Sequence, residues 1–120
     1  MRITFLIMTE YLKYQSVYSM LNIIKAAKEK NHTIRGIFLF GTGVLNITKN
    51  IKLGNTAKNI PKIFEELIES GIPVYACQTW ADNYGIFPEE SVPGSQIVGL
   101  GELSNLVAES DKIVVFGSRT

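Results

Sequence analysis

The stretch that decides the fold is Ile60-Pro61-Lys62-Ile63-Phe64-Glu65-Glu66-Leu67-Ile68-Glu69-Ser70-Gly71-Ile72-Pro73-Val74-Tyr75-Ala76-Cys77. In its first half, apolar residues recur in steps of three and four, which is the spacing of one face of a helix. Pro61 suits the first turn of such a helix, and Gly71 suits its end. Residues 72–77 then form a short apolar run that is typical of a buried strand. The stretch therefore predicts a helix, a turn and a strand that ends at Cys77.

The same alternation of strands and helices extends outward in both directions. Further strands are predicted over residues 2–8, 34–40, 96–99 and 113–116, and further helices over residues 14–30, 79–84 and 102–109. The strand over residues 2–8 is apolar on both faces, which predicts a central place in a sheet covered by helices. Residues 44–56 form an irregular, polar interval in this prediction. We therefore predict one α/β domain over residues 1–120, a three-layer sandwich with a roughly five-stranded, mostly parallel sheet and helices on both faces.

The composition argues against several classes of protein. The chain of 120 residues is 46% hydrophobic and 19% charged, an ordinary balance for one globular domain. A net charge of +1 argues against direct nucleic-acid binding, since no long-range field attracts polyanions. No apolar run approaches the roughly 20 residues that span a bilayer, and the apolar N-terminus is too short for a signal peptide. We therefore expect a cytoplasmic protein that does not associate with a membrane.

A single cysteine, Cys77, and a single histidine, His32, limit the chemistry further. One cysteine excludes an internal disulfide, and this pair of residues cannot build a zinc site within one chain. His32 precedes a predicted strand, so it should lie at the opposite edge of the sheet from Cys77. We therefore expect no metal, no cofactor and no Cys–His catalytic pair.

The carboxyl edge of the predicted sheet is where a ligand or partner should bind. Cys77 is the most reactive group at this edge, and two interpretations of it stay open. As a lone cysteine at a strand end, it suits a small residue of the buried core. As a nucleophile, it would need exposure and a helix starting at about Thr79, whose backbone N–H groups would favour the thiolate.

Other residues at this edge are candidates for contact with a substrate or partner. They are Tyr11, Gly41, Gly43, Gln78, Thr79, Trp80 and Tyr84. The two glycines flank Thr42 in a segment that could cradle a phosphate or form a plain turn. The aromatic residues could shield a reactive sulfur, fill a subunit interface or pack in the core. The loop at residues 9–16 lacks glycine, which argues against a nucleotide or flavin phosphate site.

Three stretches of the sequence, taken in order, resemble a known family and together cover nearly the whole chain. They are Asn31-His32-Thr33-Ile34-Arg35-Gly36-Ile37-Phe38-Leu39-Phe40 with Gly43-Val44-Leu45-Asn46, Gly71-Ile72-Pro73-Val74-Tyr75-Ala76-Cys77 with Tyr84-Gly85-Ile86, and Val98-Gly99-Leu100-Gly101-Glu102-Leu103 with Ser110-Asp111-Lys112-Ile113-Val114-Val115-Phe116. In these residues the sequence resembles the DsrE/DsrF-like family, which includes TusD-like sulfur-relay proteins.

The resemblance implies a sulfur carrier of the sulfurtransferase type, in which Cys77 holds a persulfide sulfur between donor and acceptor thiols. It also implies a role in tRNA thiolation or sulfur metabolism, with TusA-like or rhodanese-like proteins as sulfur donors and acceptors. Sulfur-relay members of the family assemble as trimers or hexamers. We therefore expect a homo-oligomer or a hetero-hexamer.

The segment after Cys77 departs from the family pattern. TusD-like members place arginines shortly after the cysteine, whereas residues 78–83 of this chain contain Asp82 and no basic residue. Activation of the thiolate would then depend on the helix N-terminus or on charge from another subunit.

Two alternative functions stay open, namely a non-catalytic structural or regulatory subunit of a sulfur-relay complex and a small-ligand domain for a nucleotide or flavin.

Overall fold

The computed structural model describes residues 1–9, 15–49 and 60–117. The strands are β1 (Arg2–Ile7), β2 (Thr33–Leu39), β3 (Val74–Cys77), β4 (Gln96–Val98) and β5 (Lys112–Phe116). The α-helices are α1 (Gln15–Glu29), α2 (Ile60–Glu69), α3 (Gln78–Asn83) and α4 (Leu100–Glu109). Two 3₁₀ helices complete the described part, the longer at Gly41–Ile47, called the 3₁₀ segment below, and the shorter at Pro88–Glu90.

The five strands form one parallel sheet in the order β4-β3-β2-β1-β5. The chain steps from β1 through β2 and β3 to β4 in one direction, so right-handed connections put α1, α2 and α3 on one face. The return from β4 to β5 places α4 on the other face. The predicted three-layer sandwich with helices on both faces is therefore confirmed, and all of the sheet's strand pairs in the described residues are parallel.

The hydrophobic core lies around the strands β1 and β2, and β1 has the central place in the sheet that its apolar sequence predicts. Phe5 and Ile7 of β1 and Phe38 of β2 are fully buried. Helices α1 and α2 add Met20 and Phe64, which are also fully buried. Burial of side chains this large supplies most of the free energy that holds the layers together. Among the described residues, no helix is long and apolar enough to cross a bilayer.

The main difference from the sequence-based prediction lies in the 3₁₀ segment, where we predicted irregular structure from residue 44 onward. Val44 and Ile47 are both fully buried. Residues three apart lie on one side of a 3₁₀ helix, so this geometry directs both side chains into the core. The rest of the predicted irregular interval, from residue 50, lies outside the described residues.

Candidate functional site

Cys77 lies at the carboxyl edge of the sheet, as predicted. It is the last residue of β3, and α3 begins at the next residue, Gln78. Its backbone is extended, with φ −65° and ψ 123°. The sulfur makes no capping hydrogen bond to α3, which is only six residues long. The predicted change from strand to helix is therefore present, one residue earlier than expected.

The side chain of Cys77 lies on the face of the sheet that carries α4. Thr4 of β1 marks this face, because its hydroxyl is hydrogen-bonded at 2.7 Å to that of Ser110, the residue that follows α4. The neighbour of Thr4 on β2 is Gly36. A Cβ added at Gly36 would lie 3.1 Å from a methyl group of Leu106 in α4, so Gly36 is on the same face. Side chains alternate between the two faces along each strand.

The register of β3 extends this assignment to the cysteine. Tyr75 lies beside Phe38, which is two residues beyond Gly36 and therefore on the same face. Cys77 follows Tyr75 by two residues and lies beside Val98 of β4. The sulfur is thus on the side of the sheet that α4 covers.

Cys77 is nevertheless only 2% exposed and belongs to the hydrophobic core. The half-buried side chains of Phe40, Trp80 and Val98 pack against this core. In the single chain, the sulfur therefore has the burial of a small core residue, one of the two interpretations that the sequence left open. A reaction at the sulfur requires at least one neighbouring side chain to move aside.

A row of three aromatic residues extends from the strand ends toward solvent. The rings of Phe40 and Trp80 meet edge to face, with centroids 5.8 Å apart. Trp80 also stacks on Tyr84 at 6.1 Å, because residues four apart face the same side of a helix. Tyr84 is 42% exposed, so the row connects the buried end of β2 to the surface. This is a defined surface against which a partner could pack.

The other predicted contact residues occupy different environments. Gln78 and Thr79 are exposed in the first turn of α3. Gly41 is half-buried and Gly43 is buried, both in the 3₁₀ segment. A Cβ added at Gly43 would lie 2.2 Å from the carbonyl oxygen of Ile7, so the segment is in close contact with the end of β1. Tyr11 lies outside the described residues.

His32 lies at the opposite edge of the sheet, as predicted, just before β2. Its Nδ1 accepts a hydrogen bond of 2.7 Å from the amino group of Met1. It is therefore separated from Cys77 by the length of the sheet, as the sequence predicted. Among the described residues, no group of three or more His, Cys, Asp or Glu side chains is placed to hold a metal ion.

An ionisable cluster lies on the Cys77 face, toward the amino ends of the strands. Arg35, at a register irregularity in the β1–β2 pairing, forms an ion pair with Glu109 of α4. Burial raises the pKa of the nearby Tyr75 hydroxyl, and the negative charges of Glu102 and Glu109 raise it further, against the opposing effect of Arg35. This phenol therefore stays protonated at neutral pH and does not act as a base.

Asn46 is a buried polar residue near the carboxyl edge of the sheet whose role the sequence did not predict. It is fully buried in the 3₁₀ segment, and its side-chain nitrogen donates hydrogen bonds of 2.9 Å to the carbonyl oxygens of Thr9 and Gly43. The available signal was an amide between two apolar residues, Val44 and Ile47, at helical spacing. That signal indicates a buried polar contact without identifying its partner.

Comparisons with known proteins agree with the geometry. The model of the DsrE/DsrF-like family matches residues 1–116. A putative sulfurtransferase DsrE from Allochromatium vinosum is 29% identical, with 88% of this chain and 90% of the relative covered. Sulfurtransferase TusD from Cronobacter sakazakii is 23% identical, with 97% and 100% covered.

Solved structures show the same fold. The crystal structure of the ychN protein from E. coli superposes with a TM-score of 0.81 at 26% identity, covering 96% of this chain and 98% of that one. A protein of unknown function from Methanobacterium thermoautotrophicum, 16% identical, gives a TM-score of 0.73 with 96% and 98% covered. Because the family model spans nearly the whole chain, and the sheet order and site geometry accompany it, the chain belongs to the DsrE/DsrF-like family.

Proposed function

We propose that this protein is a sulfur carrier of the sulfurtransferase type, and that Cys77 holds the transferred sulfur as a persulfide. The observation that carries the proposal is the position of Cys77, the sole cysteine, at the carboxyl edge of a parallel sheet. Ligands bind at this edge in open α/β sheets. Membership of a family whose relatives include named sulfurtransferases supports the same assignment.

The transfer consists of two thiol exchange steps without net oxidation. The Cys77 thiolate attacks the outer sulfur of a donor persulfide, R–S–SH, so that a new S–S bond forms and the donor leaves as R–S⁻. An acceptor thiolate then attacks the outer sulfur of Cys77–S–SH, and the Cys77 thiolate leaves. With one cysteine in the chain, the persulfide cannot collapse into an internal disulfide.

The donors and acceptors are sulfur-transfer proteins of the TusA-like or rhodanese-like kind, serving tRNA thiolation or sulfur metabolism. The exposed side chains of Gln78, Thr79 and Tyr84 follow Cys77 in sequence and give such partners a surface close to it. We place the protein in the cytoplasm, because a reducing compartment keeps an unpaired catalytic thiol available.

Sulfur loading of the wild-type protein tests the proposal. Incubation with a cysteine desulfurase and L-cysteine should add about 32 Da, the mass of one sulfur, in an intact-mass spectrum. Dithiothreitol should remove the added mass, and protein alkylated under denaturing conditions beforehand should not gain it. Absence of the adduct under conditions that load a control carrier would contradict the proposal.

The burial of Cys77 favours a second candidate function, that of a non-catalytic structural or regulatory subunit of a sulfur-relay complex. A sulfur that is 2% exposed in the single chain is compatible with an inert core residue. Thiol titration of the native protein separates the two functions. Labelling that is complete only in denaturant supports the structural subunit, whereas labelling of the folded protein supports the carrier.

We also propose that the protein forms a homo-oligomer, a trimer or hexamer, through the face formed by α4 and β5. Val107 of α4 and Val115 of β5 are 49% and 53% exposed, and Leu100 and Ile113 are exposed as well. Of the described strands, none lies beside the outer edge of β5, and an open apolar edge readily pairs with another chain. A second copy is a suitable occupant because the net charge of +1 creates little repulsion between copies.

Replacing Val115 with lysine should dissociate this assembly, because the ammonium group would be buried without a partner at the interface. Sedimentation velocity should then give a particle of 13.4 kDa in place of a trimer or hexamer. The matched control is Ile23→Lys, on the exposed side of α1, which should leave the assembly intact. A wild-type protein that sediments as a monomer at micromolar concentration would contradict the proposal.

A further inference from the structure

Toward the residues that the structure describes, the Asn46 side chain uses only its donor side. Its nitrogen donates to the carbonyl oxygens of Thr9 and Gly43, at 2.9 Å each. Within the described part of the chain, its own carbonyl oxygen, Oδ1, is buried without a hydrogen-bond partner, and so is the Oγ1 atom of Thr9. Buried polar atoms are nearly always paired, so this arrangement is unusual. The orientation of the carboxamide therefore allows two hydrogen bonds to main-chain carbonyls and leaves its own oxygen unpaired among these residues.

These two contacts join the 3₁₀ segment to the end of β1. Thr9 lies two residues beyond Ile7, the last residue of β1, whereas Gly43 lies within the segment. Other contacts reinforce the junction, since the Phe40 N–H donates to the Ile7 carbonyl at 2.9 Å. Gly43 also approaches the Ile7 carbonyl so closely that no Cβ fits between them. These main-chain contacts and the two hydrogen bonds from Asn46 together set the position of the segment on β1.

The 3₁₀ segment is joined directly to a neighbour of Cys77 in the sheet. Phe40 precedes the segment directly and continues β2 in an extended conformation, with φ −130° and ψ 152°. Because Leu39 lies beside Ala76, the next residues along the two strands, Phe40 and Cys77, are neighbours on the same face. Phe40 also meets Trp80 of α3 edge to face. A shift of the segment would therefore move an aromatic ring that lies beside the sulfur.

We propose that Asn46 is a positioning residue that controls access to the Cys77 sulfur. Its two donated hydrogen bonds hold the 3₁₀ segment on β1, and through Phe40 and Trp80 they limit how often the cover of the cysteine opens in the folded protein. The use of this cover in sulfur transfer rests on the proposed function. Access to the thiol can be measured without any sulfur donor. The role of Asn46 can therefore be contradicted while the sulfur-carrier function stands, and the reverse is also true.

Alkylation of the native protein tests the proposal, because Cys77 is the sole thiol and all labelling reports on it. Asn46→Ala removes both donors and should raise the rate of iodoacetamide labelling about tenfold, through local opening of the segment. Asn46→Ser retains one donor and should fall between the alanine variant and the wild type. This milder variant also keeps the test decisive if Asn46→Ala does not fold.

The matched control is Leu106→Ala, a core truncation in α4 on the same face of the sheet. Urea titration gives the stability of each variant, and labelling rates are compared at equal stability. The emission of Trp80, the sole tryptophan, should change in the Asn46 variants and stay constant in Leu106→Ala. Equal acceleration of labelling in Leu106→Ala and the Asn46 variants would overturn the proposal, because access would then follow global stability alone.

Discussion

Replacing Cys77 with serine should abolish sulfur transfer and leave the fold intact. A serine hydroxyl is hardly ionised at neutral pH and forms no persulfide, so neither exchange step can occur. The substitution places a hydroxyl in a site that is 2% exposed, which should cost about 1–3 kcal/mol if the hydroxyl finds no partner. Transfer to an acceptor thiol should fall to the background of the donor alone, as measured by the mass of the acceptor and by its persulfide content.

Two controls separate loss of chemistry from loss of structure. Cys77→Ala removes the sulfur without adding a polar group, so it should be as inactive as the serine variant and closer to the wild type in stability. Circular dichroism and sedimentation should give the wild-type fold and assembly for both variants. Sulfur transfer at the wild-type rate by either variant would show that the protein acts without its cysteine and would leave the carrier mechanism without a chemical basis.

Much of the fold was predictable because its strands and helices have different apolar periods. Along residues 60–77 the spacing changes from steps of three and four to a continuous run, and α2 and β3 are found there. The predicted start of β3 was two residues early, at Ile72, where the structure begins the strand at Val74. Pro73 explains the difference, because it has no N–H to donate to the β ladder, although its carbonyl accepts from Ile37.

Two features of the site were not predictable because contacts distant in sequence determine them. The end of an apolar run placed Cys77 at the sheet edge, but its burial depends on packing between separate elements, such as β4, whose Val98 lies beside it. The role of Asn46 depends on the Thr9 carbonyl, 37 residues earlier in the chain. Local periodicity carries information on neighbours within one element and none on which loop carbonyl faces a buried amide.

The second large effect is expected at Gly43, where alanine should strongly destabilise the protein. The added Cβ would lie 2.2 Å from the Ile7 carbonyl oxygen and 3.0 Å from its carbonyl carbon, both main-chain atoms of a central strand. Relief would require the 3₁₀ segment to move away from β1, which would break the hydrogen bond from Phe40 to Ile7 and strain those of Asn46. Overpacking against a rigid main chain should cost about 3 kcal/mol or more.

Gly101→Ala is the control that isolates this contact. Gly101 lies in the first turn of α4, with no heavy atom within 4 Å of an added Cβ, so alanine there should stabilise the helix by about 0.5–1 kcal/mol. Both substitutions add one methyl group and remove the same flexibility from the unfolded chain. The difference between their urea midpoints therefore measures the cost of separating the 3₁₀ segment from β1. If the two midpoints shift alike, the 3₁₀ segment separates from β1 at little cost in stability. Neither Gly43 nor Asn46 can then be holding the cover of Cys77 in place.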